Sequence, residues 1–372
     1  MDISNLSIFH FILFFLFNSW SAKGSTIDEW DYDHHHTKPE DWKGVCKFGR
    51  EQSPININTH DTIKVKTRSS FTFHNYFEKT ESSLRNNGHT LVMEFKKIHH
   101  HDRDGTKFNS KWIKGGSLPG SKFELRQAHF HWGSTSDQGS EHTINNEYSP
   151  MEMHLVHWNT DIAETYEEAI KSRVYNALAV LAINFRIEEK NNKLENFFKS
   201  VNNVRTQNQV TTLGDGVVLE DFLPDDTNKF FRYNGSLTTP GCNEIVVWTI
   251  FKERTAISQE QMDALRRTTY IHKGESDARV ISNNYRPTQP LNGRNILDVK
   301  VKGLKVKGES SAKETLDRSN NQNSEEKSIF KEKLTSAGSR VHKPTENYII
   351  TFVLFIGIIH VLNFILIIIS AK

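Results

Sequence analysis

Three histidines, His129, His131 and His154, sit in stretches whose patterning suits β-strands and whose spacing can bring three imidazoles to one point. Strand side chains alternate with period two, so over residues 123–132 the odd positions Phe123, Leu125, Gln127, His129 and His131 are expected on one face. Over residues 151–158 the even positions Glu152, His154, Val156 and Trp158 share a face, and the turn-rich stretch 133–150 is long enough to connect the two strands. Three neutral imidazoles with an open fourth position form a catalytic rather than a structural zinc arrangement, which would close its shell with cysteines. Gln127 and Glu152 each lie two residues before a proposed ligand on its own face, placed to hold the second ring nitrogen. Without those partners, a His-x-His pair in a strand would read as polar residues on a solvated face.

The elements that must carry these residues are mostly strands. Residues 91–97, 123–132, 151–158, 177–186 and 243–251 are apolar, β-branched or aromatic runs separated by turn signals. Helices are few: 258–268 begins with an S-x-x-Q capping box, Ser258 with Gln261, and 193–204 has helical spacing of its large apolar residues.

The segments AHFHWGS (128–134), SEHT (140–143), MEMHLVHWN (151–159), SLTTP (236–240), NNGH (86–89) and QSPINI (52–57) closely resemble the α-class carbonic anhydrases. The likeness runs from about residue 30 to residue 301. It implies a mainly β single domain, a large, twisted, mostly antiparallel sheet with a few peripheral helices, and Zn2+ at the base of a conical cavity. It also implies reversible hydration of CO2 to bicarbonate by attack of zinc-bound hydroxide. On the matching positions, Thr238 accepts the hydrogen bond of that hydroxide and passes its own proton to Glu141. Val156, Val180, Leu237, Val246 and Trp248, with Thr238 and Thr239, are the implied substrate-binding residues. His89 matches the proton shuttle, and Asn87 and Tyr32 match residues that order its water chain. Two departures are Val92, where fast members have a polar residue, and Gly241, where a second proline is usual and whose absence suggests a less rigid loop.

Length and composition are compatible with one catalytic domain plus appendages in 372 residues. With 47 basic and 45 acidic residues the net charge is +2, which offers no electrostatic case for a nucleic-acid partner. Residues 1–24, with an apolar run at 8–17 followed by small residues, read as a secretory signal peptide, although Asp2 is the only charge in its n-region. The catalytic domain is then 25–302. Residues 303–339 form a flexible charged stalk, too poor in large apolar residues to offset their ordering entropy. Residues 340–372 end in an apolar tail at 348–370, enough to span a bilayer; small residues Ser336, Ala337 and Gly338, then a polar spacer, match a GPI signal, the alternative being a transmembrane helix. Either places the domain at the outer face of the plasma membrane.

In that compartment Cys46 and Cys242, 196 positions apart, are expected to pair, as at matching places in extracellular members of the family. The bridge would hold the loop carrying Thr238. Asn234, in NGS, is the acceptor sequon of the mature domain. The histidine runs at 34–36 and 99–101 read as exposed loop composition. Two other functions fit these residues less well. A catalytically weak, carbonic-anhydrase-like binding module typically lacks a zinc histidine, and all three are present. A serine hydrolase needs a G-x-S-x-G elbow, and GGSLPG at 115–120 has Pro119 where the final glycine belongs.

Overall fold

A computed structural model of the chain describes residues 30–32, 38–95, 110–214, 216–271 and 276–302. The expected leader, stalk and tail, including Ser336, Ala337 and Gly338, and both histidine runs lie outside these residues.

Ten strands form a continuous path: β1 Ile63–Thr67, β2 Ser82–Asn86, β3 Leu91–Phe95, β4 Phe123–Trp132, β5 Met151–Asn159, β6 Leu178–Ile187, β7 Val210–Thr212, β8 Lys229–Gly235, β9 Val246–Phe251 and β10 Leu297–Val301. Their order across the sheet is β7-β2-β3-β4-β5-β6-β9-β8-β10-β1, and three short strands attached beside it bring the total to 13. Nine of the twelve pairings in this sheet are antiparallel; β6 with β9, β6 with Thr255–Ile257, and β10 with β1 are parallel.

All nine residues of β5 are buried, because both faces of the sheet are covered there. Its odd residues Met151, Met153 and Leu155 join a large apolar cluster with Phe130, Leu181 and Phe185. Its even residues Val156 and Trp158 join a second cluster with Val180, Val246 and Trp248. The polar Glu152 and His154 continue that second face and mark where the site interrupts the core.

The strict alternation expected along 123–132 is broken by one residue. Leu125 pairs with His157 but Gln127 pairs with Val156, so two steps on β4 match one on β5, as in a β-bulge at Arg126. The bulge reverses parity. Phe123 and Leu125 pack in the large cluster with Ala128, Phe130 and Trp132, while Gln127 and His129 line a cavity on the opposite side. Phe123 and Leu125 therefore do not share the face of the histidines. A sequence can show only the period, and a single inserted residue shifts its phase.

Besides a one-turn helix at Val45–Phe48 that carries Cys46, three longer helices flank the sheet: α1 Tyr166–Ser172, α2 Glu195–Val201 and α3 Gln259–Arg266. The Ser258–Gln261 capping box is formed at α3. The helix expected at 193–204 is instead α2 between two 3-10 turns, Asn192–Leu194 and Asn202–Val204. Helix α1 has its own capping box, Thr165 with Glu168, so its start too is encoded locally in the sequence.

Deleting Arg126 should abolish zinc binding or folding, because restored alternation turns either Phe123 and Leu125 or the two histidines to the wrong face. Arg126→Ala should cost only about 1 kcal/mol in urea unfolding, since it loses half-exposed ion pairs at 3.8 and 3.9 Å but keeps the bulge.

Candidate metal centre

Pairing of β4 with β5 sets His129 directly opposite His154, and His131 follows two residues on. The Nδ1 of His154 lies 3.2 Å from His129 Nε2 and 3.2 Å from His131 Nε2. Each ring turns its other nitrogen to a fixed acceptor. His129 Nδ1 donates to Gln127 Oε1 at 3.1 Å, His131 Nδ1 to the Asn284 carbonyl at 2.7 Å, and His154 Nε2 to Glu152 Oε1 at 2.7 Å. These outer bonds place a proton on the far nitrogen, so three lone pairs converge with no proton between them. A tetrahedral zinc with bonds of 2.0–2.1 Å requires nitrogens about 3.3 Å apart, and the donor set fits that ion.

Charge supports the same state. Burial, followed by the neighbouring His131 and His154, holds His129 well below the ordinary histidine value, and burial does the same to His131 against the pull of Glu141. Glu152 is fully buried, and burial alone would raise its pKa. The charge of His142 and the hydrogen bonds from His142 and His154 together outweigh burial and hold it well below the usual carboxylate range. His142 donates to Glu152 from its backbone at 2.8 Å and from Nδ1 at 2.7 Å, and Tyr233 Oη joins His142 Nε2 at 2.7 Å to Ser53 Oγ at 2.8 Å. His142, Glu152 and His154 also cluster closely enough to resemble a cation site, but their nitrogens are committed to these hydrogen bonds.

Nothing in the local sequence pattern NNYRP marks Asn284 as a site residue. Besides holding His131, its side chain accepts from Trp132 N at 2.7 Å and donates to the carbonyls of His89 and Phe130. Arg286 is equally hidden. Its backbone N–H donates to Glu141 Oε1 at 2.9 Å, and its guanidinium donates to Gln52 Oε1, the Ser53 carbonyl and the Cys46 carbonyl.

The triad opens into a cavity of about 360 Å³. Val156, Val180, Leu237 and Trp248 line it on the apolar side, with Tyr166 and Ile170 of α1; Thr238 and Thr239 also face it. Val246 is not among the lining residues, being buried in the apolar cluster beneath them. Asn87, His89, Tyr32 and Trp30 line the opposite side, with the His89 ring stacked on Trp30 at a centroid distance of 4.0 Å. The Asn87 side chain accepts from the backbone of His89 and Thr90, closing its own turn. Glu141 Oε2 is buried without a hydrogen-bond partner among the described residues, so the bond expected from Thr238 is not closed at that atom. A larger polar depression of about 790 Å³ lies among Glu188, Lys190, Asp221 and Arg254, away from the triad.

Cys46 and Cys242 are bonded, and together with Trp42 they form a small apolar cluster against which Trp30 and Tyr32 pack. Gly241 has φ +103° and Cys242 φ +43°. Proline, locked near −65°, does not fit this backbone at position 241, where glycine adopts the positive φ without strain.

A histidine triad at the edge of an apolar cavity, with His131 and His154 buried and His129 half-buried on adjacent strands of a mixed sheet, defines a zinc lyase site of the carbonic anhydrase type. The family model for eukaryotic-type carbonic anhydrases matches residues 37–300, and the chain belongs to that family. It is similar to Carbonic anhydrase 15 of Mus musculus, 31% identical over 294 residues, 77% of this chain and 88% of the relative. Carbonic anhydrase 3 of Homo sapiens is 33% identical over 272 residues (72% and 96%), and Carbonic anhydrase 4 of Rattus norvegicus 32% over 267 residues (70% and 79%). The protein is a zinc-dependent carbonic anhydrase that acts on CO2 and bicarbonate.

Glu152→Gln should weaken zinc binding about 10- to 100-fold in competition with a chelator, by removing the negative charge behind the hydrogen bond that orients His154 and makes it a better ligand. Acid should destabilise the metal-free protein. His129, His131 and His157, the last pushed down to about 3 by burial, all have folded pKa values below their unfolded one of 6.5. Below 6.5 the unfolded chain therefore binds more protons, and stability is lost progressively as pH falls toward 3; Glu152 adds loss in the same direction below the carboxylate range. Urea midpoints of metal-free protein at pH 7.5, 6 and 5 should fall in that order, and a flat series would contradict the assignment.

Proposed function

We propose that this enzyme hydrates CO2 at the outer face of the plasma membrane, with Thr238 and Glu141 orienting the nucleophile and His89 exporting the proton. The observation that carries the chemistry is the convergence of three imidazole nitrogens, with those of His129 and His131 each 3.2 Å from that of His154, beside an apolar wall and a buried carboxylate. Zn2+ held by His129, His131 and His154 supplies Lewis acidity that makes hydroxide available near neutral pH, behaviour for which carbonic anhydrases are themselves the reference case. The wall of Val156, Val180, Leu237 and Trp248, over Val246, offers an uncharged substrate a surface where water gains no hydrogen bonds. Glu141 Oε2, lacking a partner, is suited to accept the Thr238 hydroxyl proton and fix the hydroxyl's acceptor lone pair toward the nucleophile.

His89 combines an imidazole with a position on the cavity lining, which suits proton exchange with buffer. The cell-surface reading rests on the apolar leader, the Cys46–Cys242 bridge and the C-terminal layout around Ser336, Ala337 and Gly338. Asn234 is exposed and thus open to a glycan.

In stopped-flow assays, wild type should accelerate CO2 hydration in proportion to its zinc content, and His129→Ala should lose both zinc and rate. A folded, zinc-loaded wild type without hydration would overturn the mechanism. His89→Ala should lower kcat at least about 10-fold in dilute buffer, with recovery on adding imidazole. Release of activity from intact cells by a phosphatidylinositol-specific phospholipase would support the lipid anchor, and retention would favour a membrane helix.

A further inference from the structure

The far end of the sheet from β7 carries a charge pattern that folding does not explain. Lys300 on β10 is directly opposite Lys66 on β1 and directly opposite Lys229 on β8, so three lysines lie in one row across three strands. All three are exposed. The alternate residues of the same strands, Val65, Val299 and Phe230, pack in the core, which fixes the lysines on the other, outer face. Like charges directly opposite in a sheet destabilise it. Lysine on an edge strand is a common guard against edge-to-edge pairing, and that accounts for Lys64 and Lys66 on β1. It does not account for Lys300 or Lys229, whose strands are paired on both sides.

Neutralisation is partial. Lys229 pairs with Asp226 at 2.6 Å and Lys252 with Asp298 at 2.5 Å, whereas Lys64, Lys66 and Lys300 have no ion-pair partner among the described residues. Neighbouring strands are spaced about 4.8 Å apart, so the three-lysine row runs about 10 Å across the strands, wider than a single small anion covers and suited to an extended chain of anionic groups.

We propose that the outer face of β1, β10 and β8 binds a sulfated polysaccharide, with Lys66, Lys300 and Lys229 as its contact row. Charge complementarity argues for the polyanion, and the choice of polysaccharide rests on the outer-surface location proposed above. Ammonium groups recognise sulfate as point charges, so affinity should depend steeply on salt and little on sequence of sugars.

The test uses detergent-solubilised full-length protein and heparin as probe. The triple variant Lys66→Gln, Lys300→Gln, Lys229→Gln should bind heparin at least 10-fold more weakly in 0.15 M salt, with a shallower salt dependence. A control triple, Lys171→Gln, Lys193→Gln, Lys199→Gln, should bind like wild type. The lysine-row variant should retain full CO2 hydration and melt close to wild type, because the repulsion it removes offsets the lost Lys229–Asp226 pair. Equal losses in both triples, or unchanged binding in the first, would overturn the proposal. So would wild type that prefers phosphatidylserine vesicles to heparin, since that assigns the face to lipid. Binding by the row with the protein found inside the cell would instead keep the polyanion site and remove the location.

Discussion

Everything about this site depends on keeping three imidazole lone pairs pointed at one another without a proton between them. Facing lone pairs repel, and any one ring could relieve the repulsion by taking up a proton or flipping. Burial blocks the first route, since a charged imidazole here has little water to solvate it. The outer hydrogen bonds block the second: the Asn284 carbonyl and the Glu152 carboxylate can only accept, which holds hydrogen on the outer nitrogens of His131 and His154, and Gln127 Oε1 meets that of His129. The frustration is resolved by a cation, which is why the geometry reads as a metal centre.

The rigidity behind those acceptors comes from the sheet. His129 and His154 face each other because β4 and β5 pair over their whole length, and β5 is clamped between β4 and β6 with both faces packed. Glu152 could not serve if it were merely buried. His142, held by Tyr233 and Ser53, gives it the compensation that a buried carboxylate needs. The same Ser53 accepts from Ser236 N, immediately before Leu237 and Thr238. The metal side and the substrate-side loop thus share one buried polar network.

A second brace reaches that loop from outside. The Cys46–Cys242 bridge closes it, and Arg286 links the Cys46 carbonyl to Gln52, whose side chain in turn donates to the Cys242 carbonyl at 3.1 Å. Through its backbone N–H, Arg286 also occupies one oxygen of Glu141 and leaves the other available. On the entropy model, closing a loop of this length stabilises the fold by about 5 kcal/mol, and here the bridge also fixes a turn that needs left-handed backbone at 241 and 242.

The sequence by itself determined what period and proximity encode: strands around the three histidines, the contacts between residues two apart such as Gln127 with His129, a long-range pair of cysteines, and, through its motifs, the family. It did not determine the phase along β4, because a bulge at Arg126 leaves no compositional trace while moving Phe123 and Leu125 to the opposite face. Nor could it reveal Asn284 or Arg286, which lie about 150 residues from the groups they hold and act partly through backbone atoms that every residue type possesses. Tertiary structure alone decided those partners, since a backbone carbonyl or amide acquires specificity only from where the fold puts it.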